Sequence, residues 1–161
     1  MMKKILKLTA LALAVLFVAI QFAGPEKTNP PVDAAKTIQA NTQITPEVAA
    51  IIQRACGDCH SHQTQWPLYS YVEPVSWFLV DHVNDGRKHL NFSEWASYEP
   101  KRMRKKLQEM FEEVEKGAMP LKSYLLLHPD ARLSQDDIQQ LGAWAEAERR
   151  RLADENNLAK E

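Results

Sequence analysis

Thr45-Pro46-Glu47-Val48-Ala49-Ala50-Ile51-Ile52-Gln53-Arg54-Ala55-Cys56-Gly57-Asp58-Cys59-His60 is the stretch on which the fold turns. Thr45 supplies a helix N-cap, Pro46 fits the first turn, and Glu47 places an acid where the helix dipole favours one. Val48, Ile51, Ile52 and Ala55 follow at helical spacing, so one face of this helix is apolar. The helix leads directly into both cysteines of the chain, which fall within five consecutive residues. Scattered structural thiols would not cluster so, and the pair reads as a site.

Downstream, Trp66-Pro67-Leu68-Tyr69-Ser70-Tyr71 is too broken by proline and turn formers for a long helix or a central strand. It reads as a loop with short turns. Pro74 opens a second helix whose Val75, Phe78, Leu79, His82 and Val83 share a face, ending near Gly86. A third begins around Pro100, buries Met103, Leu107, Met110, Phe111 and Val114, and stops at Gly117. Ser134 caps the last, which turns Ile138, Leu141, Trp144 and Ala145 inward. No segment alternates with period two and no internal repeat is visible, so the fold class is all-α. A globular part barely over a hundred residues has a marginal core, which a buried cofactor would enlarge.

Upstream, Lys3, Lys4 and Lys7 precede an apolar run from Leu8 to Ala23 with Thr9 and Gln21 as its polar residues. This is the layout of an export signal, and the lysines hold that end in the cytoplasm. The expectation is a single-pass anchor in the cytoplasmic membrane with the rest on the periplasmic or extracellular side; cleavage to a soluble periplasmic form is the alternative. Residues 24–44, with Pro25, Pro30 and Pro31, read as a flexible linker. The divisions are therefore 1–23 anchor or signal peptide, 24–44 linker, 45–151 helical domain and 152–161 polar tail.

Cys56, Cys59 and His60 stand at i, i+3 and i+4, on one face of a helical turn. Covalent haem attachment needs that arrangement: two thiols for the two vinyl groups on one porphyrin edge, and an imidazole for the iron from the same side. Export places the motif where such haem is attached. A dithiol redox couple, a zinc site using His62 as well, and a structural disulfide are the competing readings. The first lacks its usual βαβ setting, and adjacent Cys59 and His60 crowd a tetrahedral ion.

A six-coordinate haem needs a second axial ligand. Met119 follows the helix-ending Gly117 and precedes Pro120, so it sits in a loop with its thioether free to cross a cavity. Core filling is the ordinary alternative for a methionine. His82 is the rival ligand; His62 is too near His60 to cross the ring, and His89 and His128 read as surface or capping residues. His60 should donate its other ring nitrogen to a backbone carbonyl, from the Trp66-Pro67 or Glu73-Pro74 loop. Trp66, Tyr69, Trp77 and Trp95 are candidates to wall the haem or to fill the core, and Arg87 or Lys88 to meet a propionate.

A formal net charge of -1 offers nothing to a polyanion, so no nucleic-acid partner is inferred, and no small-molecule substrate either. The basic run from Lys101 to Lys106 reads as a solvated face paired with Glu109, Glu112 and Glu113, or as a dock for an acidic redox partner or anionic lipid.

These residues resemble the bacterial haem-binding domain family of small exported proteins, itself similar to class I c-type cytochromes. The resemblance spans about Thr45 to Arg151. It rests on Cys56-Gly57-Asp58-Cys59-His60-Ser61, Thr64-Gln65-Trp66-Pro67-Leu68-Tyr69-Ser70, Pro74-Val75-Ser76-Trp77, His82, Gly86-Arg87, Leu90-Asn91-Phe92-Ser93-Glu94-Trp95, Met119-Pro120 and Ser123-Tyr124-Leu125-Leu126-Leu127-His128-Pro129. Leu68 departs from the tryptophan that relatives often carry. The resemblance implies one haem c (iron) per chain, attached at Cys56 and Cys59 with His60 proximal, and cytochrome likeness favours Met119 opposite. It supplies no substrate. The expected function is electron transfer with redox partner proteins at the membrane. The alternatives are a haem-based sensor, a peroxide- or gas-reactive haem with a weak distal site, and a structural or haem-delivery role.

Overall fold

The computed structural model describes residues 1–158, and among these every regular element is helical. α1 is Met2–Ile20, with no buried residue, continued by a 3-10 turn Gln21–Ala23. Met2–Ala23 has a mean hydropathy of 2.3 and is long and apolar enough to cross a membrane, as a signal sequence also is. α2 (Ile38–Asn41), α3 (Pro46–Ala55), α4 (Gly57–His60), α5 (Val75–His89), α6 (Pro100–Glu115), α7 (Lys122–Leu125) and α8 (Gln135–Leu158) follow.

α3, α6 and α8 form the core as their spacing predicts. Thr45 caps α3, its Oγ1 accepting from Val48 N at 3.3 Å, and Val48, Ile51, Ile52 and Ala55 are buried. Leu107, Met110 and Val114 of α6 pack with Leu141, Trp144, Ala145 and Leu152 of α8 and with Leu90, Phe92 and Trp95. Met103, Phe111 and Ile138 are half-buried against that cluster. An Arg54–Asp137 ion pair at 2.7 Å ties α3 to the start of α8.

Two boundaries differ from expectation. Residues 24–44 are not a free linker: Ile38 is 0% exposed in the core, and its burial is worth about 1.5–3 kcal/mol. Buried Glu148 accepts from Gln43 N at 2.9 Å, and Arg151 Nη2 donates to Asn41 O at 3.1 Å. The few apolar residues of this stretch, spaced irregularly among prolines and polar side chains, have no periodicity to announce Ile38. Likewise α8 continues past Arg151, with Leu152 buried and Arg151 paired to Glu148 and Glu155, so a polar tail from 152 is not separate from the domain. Residues 159–161 of that expected tail lie outside the described ones.

α5 differs too. Ser76, Val80 and Val83 are its buried residues, whereas Val75 and Phe78 are 45% and 55% exposed. The face shared by Val75, Phe78, Leu79, His82 and Val83 borders an open groove, with Val83 buried at its base.

Candidate functional site

Cys56 interrupts the helix with φ −128°, and α4 then adds one turn in which Cys59 N and His60 N donate to Cys56 O at 3.2 and 2.9 Å. α4 lies hard against α5. A Cβ on Gly86 would fall 2.5 Å from Cys59 O, so only glycine allows this approach. The approach sets the imidazole: His60 Nδ1 lies 3.0 Å from both Gly86 O and Leu90 O. Carbonyls only accept, so Nδ1 carries the proton and Nε2 is left with a bare lone pair. Burial, opposed by those two hydrogen bonds, holds the His60 pKa below its ordinary value and keeps the ring neutral. The carbonyls come from the C-terminal end of α5, not from the Trp66-Pro67 or Glu73-Pro74 loop. Helix ends are where carbonyls fall free.

Asp58 and its neighbours brace the turn. Thr64 Oγ1 donates to Asp58 O at 2.6 Å, Gln65 N to Asp58 Oδ1 at 2.9 Å and Tyr124 Oη to Asp58 Oδ2 at 2.7 Å. Ser61 Oγ donates to Gly57 O at 2.7 Å. Behind the motif, Asn91 and Ser93 hold His62 through its Nε2 and its backbone N–H, at 2.8 and 2.9 Å. Burial above all, then the neighbouring Cys59, pushes the Cys56 thiol up to about 12. Burial and then Asp58 push Cys59 up to about 11. Both thiols are protonated at neutral pH, whereas dithiol exchange runs through a thiolate.

Met119 is delivered by a helix end. Gly117, at φ +69°, closes α6 with its N–H on Val114 O at 3.0 Å and Ala118 N on Glu113 O at 2.9 Å, the paired bonds of a Schellman stop. Met119 N also donates to Glu113 O at 2.9 Å. The half-buried side chain lines a cavity of about 490 Å³ with Cys56, His60, Leu90, Phe92, Met110, Val114 and Pro120. A further lobe of about 210 Å³ shares Cys56, His60 and Met119 and adds Cys59, His82, Gly86, Leu121 and Tyr124. The structure therefore gathers Cys56, Cys59, His60 and Met119 around one cleft.

The other candidates fall elsewhere or at its edge. His82 borders the smaller lobe, its Nδ1 2.8 Å from Phe78 O. His89 is exposed at the rim with Nδ1 on Asp85 O at 2.9 Å, and His128 stacks on Tyr124 beside Tyr69. Trp95 fills the core, Trp77 stands at the end of α1, and neither lines the cleft. Tyr69 borders a neighbouring groove with Val75, Phe78 and Leu79. Trp66 is half-buried and also outside the cleft wall. Arg87 is largely committed to protein: it donates to Ser61 O, Thr28 O, Asn29 Oδ1 and Thr64 Oγ1 at 2.8–2.9 Å, and it does not line the cleft. Lys88 is exposed and paired with Asp85. Lys106, paired with Glu109 at 3.2 Å, is the cation on the cavity wall instead. Phe92, Leu121 and Tyr124 are wall residues that the spacing of the sequence did not single out.

A mostly apolar cleft carrying a bare imidazole nitrogen, a thioether and two protonated thiols has the donor set and the size that suit a haem. Among the described residues no three His, Cys, Asp or Glu side chains stand together to hold a metal ion, which counts against zinc. No curated protein and no solved structure matches the chain. The profile of a family described as Haem-binding domain does match, over residues 15–147, which takes in the end of α1, the motif, the cleft and most of α8. On that match the chain is a haem-binding protein and belongs to the haem-binding domain family.

Proposed function

We propose that this chain is a mono-haem, c-type cytochrome-like electron carrier, held by α1 in the cytoplasmic membrane with its haem domain on the outer side. The observation that carries the proposal is the His60 ring: Nδ1 committed to two carbonyls, Nε2 bare, on a cleft that Met119 also lines. Cys56 and Cys59 would hold the group through thioether bonds, each thiol adding its sulfur to one vinyl carbon and its hydrogen to the other with no leaving group. One pair of cysteines means one haem c. Bound there, the iron supplies a one-electron ferric–ferrous couple. His60 would bind the iron through Nε2, and the carbonyls of Gly86 and Leu90 fix its ring and would raise its basicity. Met119, which lines the same cleft, would offer its thioether to the iron and so raise the potential. Exposed Lys101, Arg102, Lys105 and Arg150 border a groove between α6 and α8 and suit an acidic redox partner.

A reactive or sensing haem is the second reading, favoured by the polar group that Asp58, Tyr124, His128 and Tyr69 form beside Cys59. Absorption and electron paramagnetic resonance spectra of the purified protein separate the two. Electron transfer predicts a low-spin ferric haem with a sulfur-to-iron band near the red edge, lost in Met119→Ala and kept in His82→Ala. A high-spin ferric haem that binds small ligands at once contradicts it.

A further inference from the structure

The junction between α1 and the folded domain is built from specific bonds. Gln21, directly after α1, uses its side chain twice on Glu73: Nε2 donates to Glu73 O at 3.2 Å and Oε1 accepts from Glu73 N at 3.0 Å. Trp77 Nε1 donates to Ala23 O at 3.0 Å. Gly24 passes so close that a Cβ there would lie 2.5 Å from Glu73 Oε1. Glu73 is itself buried, its Oε2 accepting from Trp77 N at 3.1 Å at the start of α5. The first turn of α5 is thereby fastened to the last turn of the apolar helix.

What surrounds this fastening is apolar and bare. Phe22, Tyr71, Val72, Val75, Trp77 and Phe78 are all exposed, Trp77 least at 39%. Lys27 Nζ stands 4.9 Å over the Tyr71 ring, a cation at the edge of the patch. α1 has 19 residues, a length of about 28 Å at the usual rise, which matches a hydrocarbon core of about 30 Å. A span of that length brings Gln21 out at the headgroup level. Trp and Tyr are the side chains that prefer that level, and Lys is the one that meets anionic headgroups there.

We propose that this patch is a bilayer-docking surface, so that the haem domain lies on the membrane with the N-terminal end of α5 and the Tyr71-Val72 turn in the interface. The proposal rests on α1 being a retained anchor. Continuity with the span selects lipid over a second copy of the chain as the occupant: the hydrogen-bonded junction leaves the patch no distance at which to meet anything before the headgroups.

The test uses the full-length, haem-loaded chain in vesicles of phosphatidylcholine and phosphatidylglycerol doped with a phospholipid bearing a diazirine high on its acyl chain. After irradiation, labelled peptides are mapped by mass spectrometry. Label is expected on α1 and on residues 71–78, and absent from residues 101–106. In the Tyr71→Glu, Val72→Glu double variant the 71–78 label is lost while the α1 label and the haem spectrum are unchanged. Label confined to α1 overturns docking and leaves the anchor standing. Absence of label throughout, with an intact mass that lacks the first residues, overturns the anchor reading and docking with it.

Discussion

α6 and α5 both carry apolar faces at helical spacing, but protein covers most of the first and only part of the second. Leu107, Met110 and Val114 of α6 are buried against α8, while Val75 and Phe78 of α5 stand open beside clefts. Periodicity locates a face that must leave water; it does not say what will cover it. On α6 the cover is another helix. On α5 the covers proposed here are the haem, toward Gly86, and lipid, toward Trp77. The hydrogen-bonding of α5 matches that division, since its C-terminal carbonyls orient His60 and its first turn grips Gln21 and Ala23.

The largest expected contrast comes from truncating each face. Leu107→Ala costs about 2–5 kcal/mol because Leu107 is fully enclosed. Val75→Ala costs less than about 1 kcal/mol, as an exposed truncation should. Urea unfolding of the detergent-solubilised protein, followed by circular dichroism, measures both, and equal costs would break the comparison. Next in size is Gly86→Val. With no space for a Cβ against Cys59 O, it forces α4 from α5 at about 1–3 kcal/mol. The same shift loosens His60, so the loss in melting temperature should come with an altered haem spectrum; a stable variant with an unchanged spectrum would mean the contact is not tight. Smallest is Asp137→Asn at the α3–α8 tie. Burial raises the Asp137 pKa, but bonds from Ser134 and Arg54 outweigh it and hold the group below its ordinary value. A lowered folded pKa contributes stability at neutral pH that is lost as pH falls below the usual aspartate range and through the lowered value. The variant should therefore be weaker at pH 7 by about 1 kcal/mol or less, and equal to the parent in strong acid. A gap that persists in acid assigns the tie to something other than charge.

Much of this arrangement was legible from side chains that act locally. Thr45-Pro46 starts α3, Gly117 ends α6, and the i, i+3, i+4 spacing of Cys56, Cys59 and His60 puts all three on the cleft. The remainder depends on tertiary contacts that leave no periodic trace. Ile38 sits among irregularly spaced apolar residues in a proline-bearing stretch. Gly86 reads as a helix stop, yet α5 runs on to His89, and the glycine serves the close passage of α4. Arg87 has the charge for a propionate but bonds instead to two backbone and two side-chain oxygens. The walls from Phe92, Leu121 and Tyr124 come from short turns and loops whose placement follows from the packing of the longer helices.

The central claim is a haem held by covalent bonds to Cys56 and Cys59. It is tested most directly by intact-protein mass spectrometry after extraction with acidified organic solvent. The claim predicts a polypeptide heavier by one haem, and a Cys56→Ser, Cys59→Ser variant without the added mass. A haem that leaves into the solvent, with the polypeptide at its bare mass, contradicts it.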